Sequence, residues 1–185
     1  QPNGHVNQHM ISWALKYARP LGGDLLELYC GIGNFTLPLA QAFNNVIATE
    51  LSKVATAAAE LNRQTNKISN VEFARLSAED MSRALAGDRA FRRLAHLKHA
   101  LADYSLNTLL VDPPRAGLDE KTLSLAAQFD NIIYISCNPS TLITNLDTLK
   151  HTHSIENLAF FDQFPYTHHL ECGVILRRRS ESTTD

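Results

Sequence analysis

Short apolar runs alternate with helix-patterned stretches along almost the whole chain, and no other feature narrows the fold so far. "DLLELYC", "NNVIATE", "NVEFARLS", "NTLLVDPPR" and "NIIYISC" read as strands, each broken by Gly, Asn, Ser or Pro. Between and after them lie "FTLPLAQAF", "SKVATAAAELNRQTN", a segment opened by Ser77-Ala78-Glu79-Asp80, "EKTLSLAAQF" and "STLITNLDTLK", all helical in pattern, with Ser52 as an N-cap. Strand-then-helix repeated in this way predicts an α/β fold, Rossmann-like, with a mostly parallel sheet and helices on both faces. A helix over "VNQHMISWALKYA" precedes the first strand. The last two strands, in "IENLAFFDQF" and "ECGVILRRR", have only "PYTHH" between them, so a terminal hairpin with one antiparallel strand is expected. Residues 1–179 read as one domain, residues 87–106 as a polar insertion and residues 180–185 as a disordered tail.

In open sheets of this kind ligands sit beyond the carboxyl ends of the strands. Tyr29 to Asn34, Glu50, Asp112 and Cys137 all fall at such ends. Cys137, in "IIYISCNPSTL", reads by itself as a small hydrophobe closing a strand; its company on that rim favours a nucleophile instead. In "ELYCGIGNF", Gly31 and Gly33 allow a tight turn and close approach to a ligand, although a bare turn explains such a pair too. Glu50, 17 positions past Gly33, is placed to accept both hydroxyls of a ribose, or else to act as a helix-start carboxylate. The third glycine of a dinucleotide fingerprint is missing. The pattern therefore favours an adenosine-bearing ligand without a pyrophosphate, and S-adenosylmethionine fits.

"DPPR" holds Asp112 in a fixed extended path near such a donor, with Arg115 where an exocyclic-amine methylase would carry an aromatic residue. The cysteine one strand later points to a different reaction. Carbon 5 of a pyrimidine accepts a methyl group only after a thiolate adds to carbon 6 and makes the ring an enolate. A base must then remove the proton on carbon 5 so that the thiol can leave. Glu171, in "THHLECG" at the start of the last strand, is the candidate.

Composition excludes several other classes. No run is long and apolar enough for a membrane span, and the first residues lack a signal-peptide pattern. Three cysteines, Cys30, Cys137 and Cys172, are too few and too unevenly spaced for a disulfide framework or a metal site, which favours a reducing, cytoplasmic setting. A net charge of −2 does not coat nucleic acid by charge alone. Basic residues do gather in "DRAFRRLAHLKH", where Arg89, Arg92, Arg93 and Lys98 form either a solvated face or an RNA contact.

Taken in order, "LLELYCGIGNF", "LLVDPPRAGLD", "IYISCNPSTL" and "FDQFPYTHHLECGVIL" resemble the RNA uracil-5 methyltransferases, and "DQFPYTHH" resembles the branch that acts on the T loop of tRNA. The resemblance implies the S-adenosylmethionine-dependent methyltransferase fold, methylation of uridine 54 in the T arm, Cys137 as nucleophile and Glu171 as proton acceptor. It also implies that Gln1, Tyr29, Asn34, Glu50 and Asp112 surround the methyl donor, with Gly31 and Gly33 in the same loop and Arg115 a candidate for the base or its phosphate. Family members carry further sequence before "QPN" that helps bind RNA, so the chain is expected to be the catalytic domain of something longer. A ribosomal RNA uracil-5 methyltransferase would share every catalytic residue, and an RNA-binding or RNA-folding module is the non-enzymatic alternative. A cytosine-5 methyltransferase would show a different motif around its cysteine.

Overall fold

The computed structural model describes residues 3–88, 91–167 and 169–180. Seven strands form one sheet: β1 (Asp24–Leu28), β2 (Val46–Thr49), β3 (Val71–Ala74), β4 (Leu106–Val111), β5 (Asn131–Ser136), β6 (His153–Phe161) and β7 (Glu171–Arg178), in the order β3-β2-β1-β4-β5-β7-β6. Strands β1 to β5 pair in parallel, whereas β7 is antiparallel to both β5 and β6. The antiparallel member of the closing hairpin is thus not the edge strand. Strand β6 runs in the direction of β1–β5, and β7 turns back into the gap between β5 and β6. This order leaves the carboxyl ends of β1–β6 and the start of β7 on one rim.

Strands β1–β5 and β7 are largely buried on both faces, which is why they read as apolar runs, whereas the edge strand β6 is mostly exposed. Leu26, Leu109, Ile132, Tyr134, Val174 and their neighbours pack under α4 (Ala78–Leu85), α5 (Glu120–Ala126) and α6 (Pro139–Leu149). Leu25, Leu110, Ile133 and Ile175 pack on the other face with Met10 and Ala14 of α1 (Gly4–Ala18), Leu39 of α2 (Thr36–Leu39) and Ala59 of α3 (Lys53–Thr65). Side-chain oxygens cap five of the helices: Asn3, Ser52, Ser77, Asp119 and Asn138 each accept from a backbone N–H in the first turn. The helix expected over "FTLPLAQAF" is only α2 followed by a 3-10 turn, Ala40–Ala42. It stops there because the Asn70 side chain takes the Ala40 and Phe43 carbonyls at 2.9 and 3.0 Å.

The described part of the 87–106 insertion lies along the edge of β3. Arg93 Nη1 donates to the Arg75 carbonyl (2.9 Å), Lys98 Nζ to the Ser69 carbonyl (2.7 Å), and His96 Nε2 meets the Phe73 carbonyl at 2.9 Å. Tyr104 Oη and the Lys98 amide donate to the two oxygens of Glu72. Unpaired edge carbonyls invite another strand, and basic side chains cover them here. Among the described residues no helix is long and apolar enough to cross a membrane. No group of three or more His, Cys, Asp or Glu residues among them is placed to hold a metal ion. Apart from Ser180, the expected tail lies outside the described residues.

Candidate active site

The loop after β1 departs from extended geometry at once: φ is +62° at Tyr29, +56° at Gly31 and +87° at Gly33. A Cβ on Gly33 would press on Leu37 at 3.3 Å, so that position needs glycine for space as well as for φ. Glu50, just past β2, accepts from the Gly31 amide at 3.1 Å and from the Ser52 amide at 2.7 Å, one bond to each oxygen. It therefore organises the glycine loop while each oxygen keeps a further lone-pair direction. Asn34 exchanges two hydrogen bonds with Asn7 of α1, at 2.8 and 3.0 Å, which fixes the helix over the loop.

A cavity of about 300 Å³ opens against Tyr29, Glu50 and the segment Leu76 to Glu79, with Asp119 on its rim. Its volume is at the lower end for a small-molecule site. Ser77 and Glu79 read in the sequence only as helix-start residues, and Asp119 was passed over. The signal for a further role was their position just after β3 or before α5, on the same rim as Glu50.

Asp112 follows β4, and its loop is clamped to the loop after β5. The Arg115 carbonyl accepts from Asn138 Nδ2 (3.0 Å) and Thr141 Oγ1 (3.2 Å). Buried Asn145 accepts from the Leu118 amide (2.9 Å) and from Tyr134 Oη (2.7 Å), and donates to the Leu118 carbonyl (3.2 Å). Gly117, at φ +77°, packs so closely that a Cβ would come within 2.7 Å of Asn145 Oδ1. Sequence reading passed over Asn138 and Asn145; an asparagine inside an otherwise apolar helical stretch is the one trace of such a hub.

Cys137 is half-buried between β5 and α6, while Glu171 is buried at the start of β7. The β5–β7 register ends at the pair Ser136–Cys172, so Cys137 and Glu171 are the next residues beyond it on the two strands, close enough for the Glu171 charge to be felt at Cys137. Burial raises the Cys137 thiol above its ordinary range; the Glu171 and Asp112 charges add to this, and Arg115 opposes it. Burial also raises Glu171, whose Oε2 has no hydrogen-bond partner among the described residues. Asp112 is raised to about 7, mainly by burial and then by Glu171. Glu27, buried within β1 and missed in the sequence, is pushed to about 8 by burial, with Oε2 likewise unpartnered.

The structure thus brings Tyr29, Gly31, Gly33, Asn34 and Glu50 to one loop region, and Asp112, Arg115, Cys137 and Glu171 to the adjoining one. Arg115 is solvent-exposed, close enough for its charge to be felt at Cys137. Gln1 lies outside the described residues.

Strand order and helix placement define a Rossmann-like methyltransferase fold. The N-methyltransferase NodS from Bradyrhizobium japonicum superposes with a TM-score of 0.69 over 97% of this chain and 100% of that chain, at 12% identity, a likeness of fold alone. At 26% identity, a crystal structure of Pyrococcus abyssi tRNA (uracil-54, C5)-methyltransferase in complex with S-adenosyl-L-homocysteine matches with a TM-score of 0.68 over 91% of this chain and 38% of that one. The tRNA (uracil-5-)-methyltransferase family profile matches residues 1–179, and the chain belongs to that family. The tRNA/tmRNA (uracil-C(5))-methyltransferases of Neisseria meningitidis serogroup C and Cellvibrio japonicus are each 58% identical to it over 179 residues. That alignment covers 97% of this chain, which spans about half the length of those relatives, 49% and 48% respectively.

Proposed function

We propose that this chain carries the catalytic machinery for moving a methyl group from S-adenosylmethionine to carbon 5 of uridine in the T loop of tRNA. The observation that carries the reading is the β5–β7 register, whose last pair, Ser136–Cys172, leaves Cys137 and Glu171 at adjoining strand ends within reach of each other's charge. Family membership and the names of the relatives support uridine in tRNA as the substrate.

The residues present fit the donor. The cavity beside Tyr29 and Glu50 accommodates a nucleoside, with Glu50 as hydroxyl acceptor. Among the described residues, one buried carboxyl oxygen on each of Glu27 and Glu171 has no hydrogen-bond partner, which favours a positive charge nearby. When bound, S-adenosylmethionine supplies a methyl group on a positively charged sulfur. Asp112, Tyr29 and Asn34 complete the surroundings.

Cys137 reacts as the thiolate, its proton released to solvent, and its sulfur bonds to carbon 6 of the uracil. The exposed Arg115, whose charge is felt at Cys137, favours that ionisation and is the candidate to hold the base or its phosphate. Once carbon 5 bears the methyl group, the Glu171 carboxylate takes the proton from carbon 5. The electron pair of that C–H bond restores the double bond between carbons 5 and 6 and expels the thiolate. Burial suits Glu171 to this step, because a raised carboxylate is a stronger base than a free one.

T-arm RNA bearing 5-fluorouridine tests the whole sequence. Fluorine on carbon 5 cannot leave as a proton, so the expected product is a methylated protein–RNA adduct seen by intact mass and lost in Cys137→Ala. No adduct with T-arm RNA, beside one with a ribosomal RNA fragment, would transfer the assignment to ribosomal RNA.

A further inference from the structure

Three residues other than glycine have positive φ among the described residues: Tyr29, Lys67 and Tyr166. Such a conformation costs about 1–2 kcal/mol for an ordinary side chain. Two of them have a reason within the fold. Lys67 follows the C-cap of α3, where the left-handed conformation closes the helix and the Ile68 amide reaches the Arg63 carbonyl at 3.1 Å. Tyr29 walls the cavity beside Glu50.

Tyr166 has no such reason. It is the third residue of a turn, Phe164-Pro165-Tyr166-Thr167, closed by the Thr167 amide on the Phe164 carbonyl at 3.2 Å. Proline second and φ +64° third is the pattern in which the third position favours glycine. The side chain is fully exposed, at 107% relative accessibility, so burial does not offset the strain.

The turn is also well held. Thr167 Oγ1 donates to the Phe164 carbonyl at 2.7 Å and accepts from the His169 amide at 3.1 Å, and the Phe164 and His169 rings meet at 5.6 Å. Buried Gln163 anchors its base, accepting from the Asn3 amide at 3.1 Å. This loop leads directly into Glu171. Phe160, 61% exposed, stands on the preceding strand opposite Cys172. Tyr166 thus lies five residues before the candidate base, and a second exposed aromatic, Phe160, stands on the strand paired with the one that begins at Glu171.

We infer that Tyr166 is an RNA-stacking residue: its ring, held outward on a rigid turn at the site rim, takes the face of an unstacked base neighbouring the target uridine. The inference rests on the RNA substrate proposed above. Every nucleobase offers a π-face, and one stacked on a protein aromatic contributes binding largely independent of salt.

Tyr166→Gly separates binding from folding, because glycine suits the turn better than tyrosine. T-arm RNA affinity, read by fluorescence anisotropy, is expected to fall roughly 5- to 100-fold. Thermal stability should be equal or higher and donor affinity unchanged, while Tyr166→Phe and Tyr166→Trp should bind RNA within a few-fold of the parent. RNA affinity unchanged in Tyr166→Gly overturns the inference, as does a change confined to self-association. Adduct formation on 5-fluorouridine RNA by the parent, with the same RNA-concentration dependence in Tyr166→Gly, overturns this inference and leaves the uridine reading standing. Failure of the parent to form the adduct or bind RNA overturns both.

Discussion

Cys137 and Glu171 are the residues next beyond the last β5–β7 pair, Ser136–Cys172, although they lie 34 positions apart in the sequence. Glu171 is near enough for its charge to raise the Cys137 thiol, so a uracil bonded to one is within reach of the other. Glu171→Gln keeps the shape and removes the base. Turnover should fall about 10²- to 10⁴-fold, with a methylated adduct accumulating on ordinary uridine RNA. Intact mass after quenching checks this; normal turnover in Glu171→Gln would remove it from the mechanism.

The rising limb of the pH–rate profile should reflect Cys137 and Glu171, both raised by burial. Both act in their deprotonated forms, so the rate should increase as pH rises through their range. Asp112 adds to the rise at Cys137. Asp112→Asn should therefore move the rate of 5-fluorouridine adduct formation, measured at saturating donor, to lower pH.

Glu27 makes a stability prediction. Its carboxyl is raised from 4.5 to about 8 in the folded chain. Between those values the folded state binds the proton more tightly than the unfolded state, so stability falls as pH climbs from about 4.5 to 8. Above pH 8 the penalty is complete. Glu27→Gln should therefore stabilise the chain by an amount on the order of 1–3 kcal/mol at pH 9 and by much less at pH 5. Urea midpoints at the two pH values measure the difference; an equal effect at both would place the carboxyl near its ordinary value.

Asn145 holds the Asp112–Leu118 loop against α6 through three hydrogen bonds. Asn145→Leu leaves the Tyr134 hydroxyl and both Leu118 backbone groups without partners, at a cost of about 2–4 kcal/mol. The loosened loop should raise KM for the donor more than it lowers kcat. Chemical denaturation and initial-rate kinetics read these two effects separately.

Arg92 and Arg93 should behave differently despite adjoining in one basic run. Both are exposed, but Arg93 donates to the Arg75 carbonyl beside the edge of β3. Arg93→Ala should cost about 0.5–1.5 kcal/mol and increase self-association, and Arg92→Ala should stay within about 0.5 kcal/mol of the parent. Thermal unfolding and sedimentation distinguish them. A loss of RNA salt dependence in Arg92→Ala alone would assign the RNA contact to that residue.

The strand–helix alternation, the tight glycine loop, Glu50 just past β2 and the helix starts at Ser52 and Ser77 are all legible in the order of the residues. Each follows from forces acting over a few residues: apolar periodicity, φ > 0, and capping of free amides. The rim could be inferred because a parallel sheet puts all its carboxyl ends together. That β7 enters between β5 and β6 is set by long-range packing, since hairpin strands can pair in either order without changing their local pattern. That order brings Glu171 beside Cys137. Nor could composition reveal that Glu27 is buried without a partner for Oε2, that Asn145 bonds to three groups, or that Arg93 is engaged at a strand edge. A side chain's burial and partners depend on which distant segment packs beside it, and with them go its proton affinity and its chemistry.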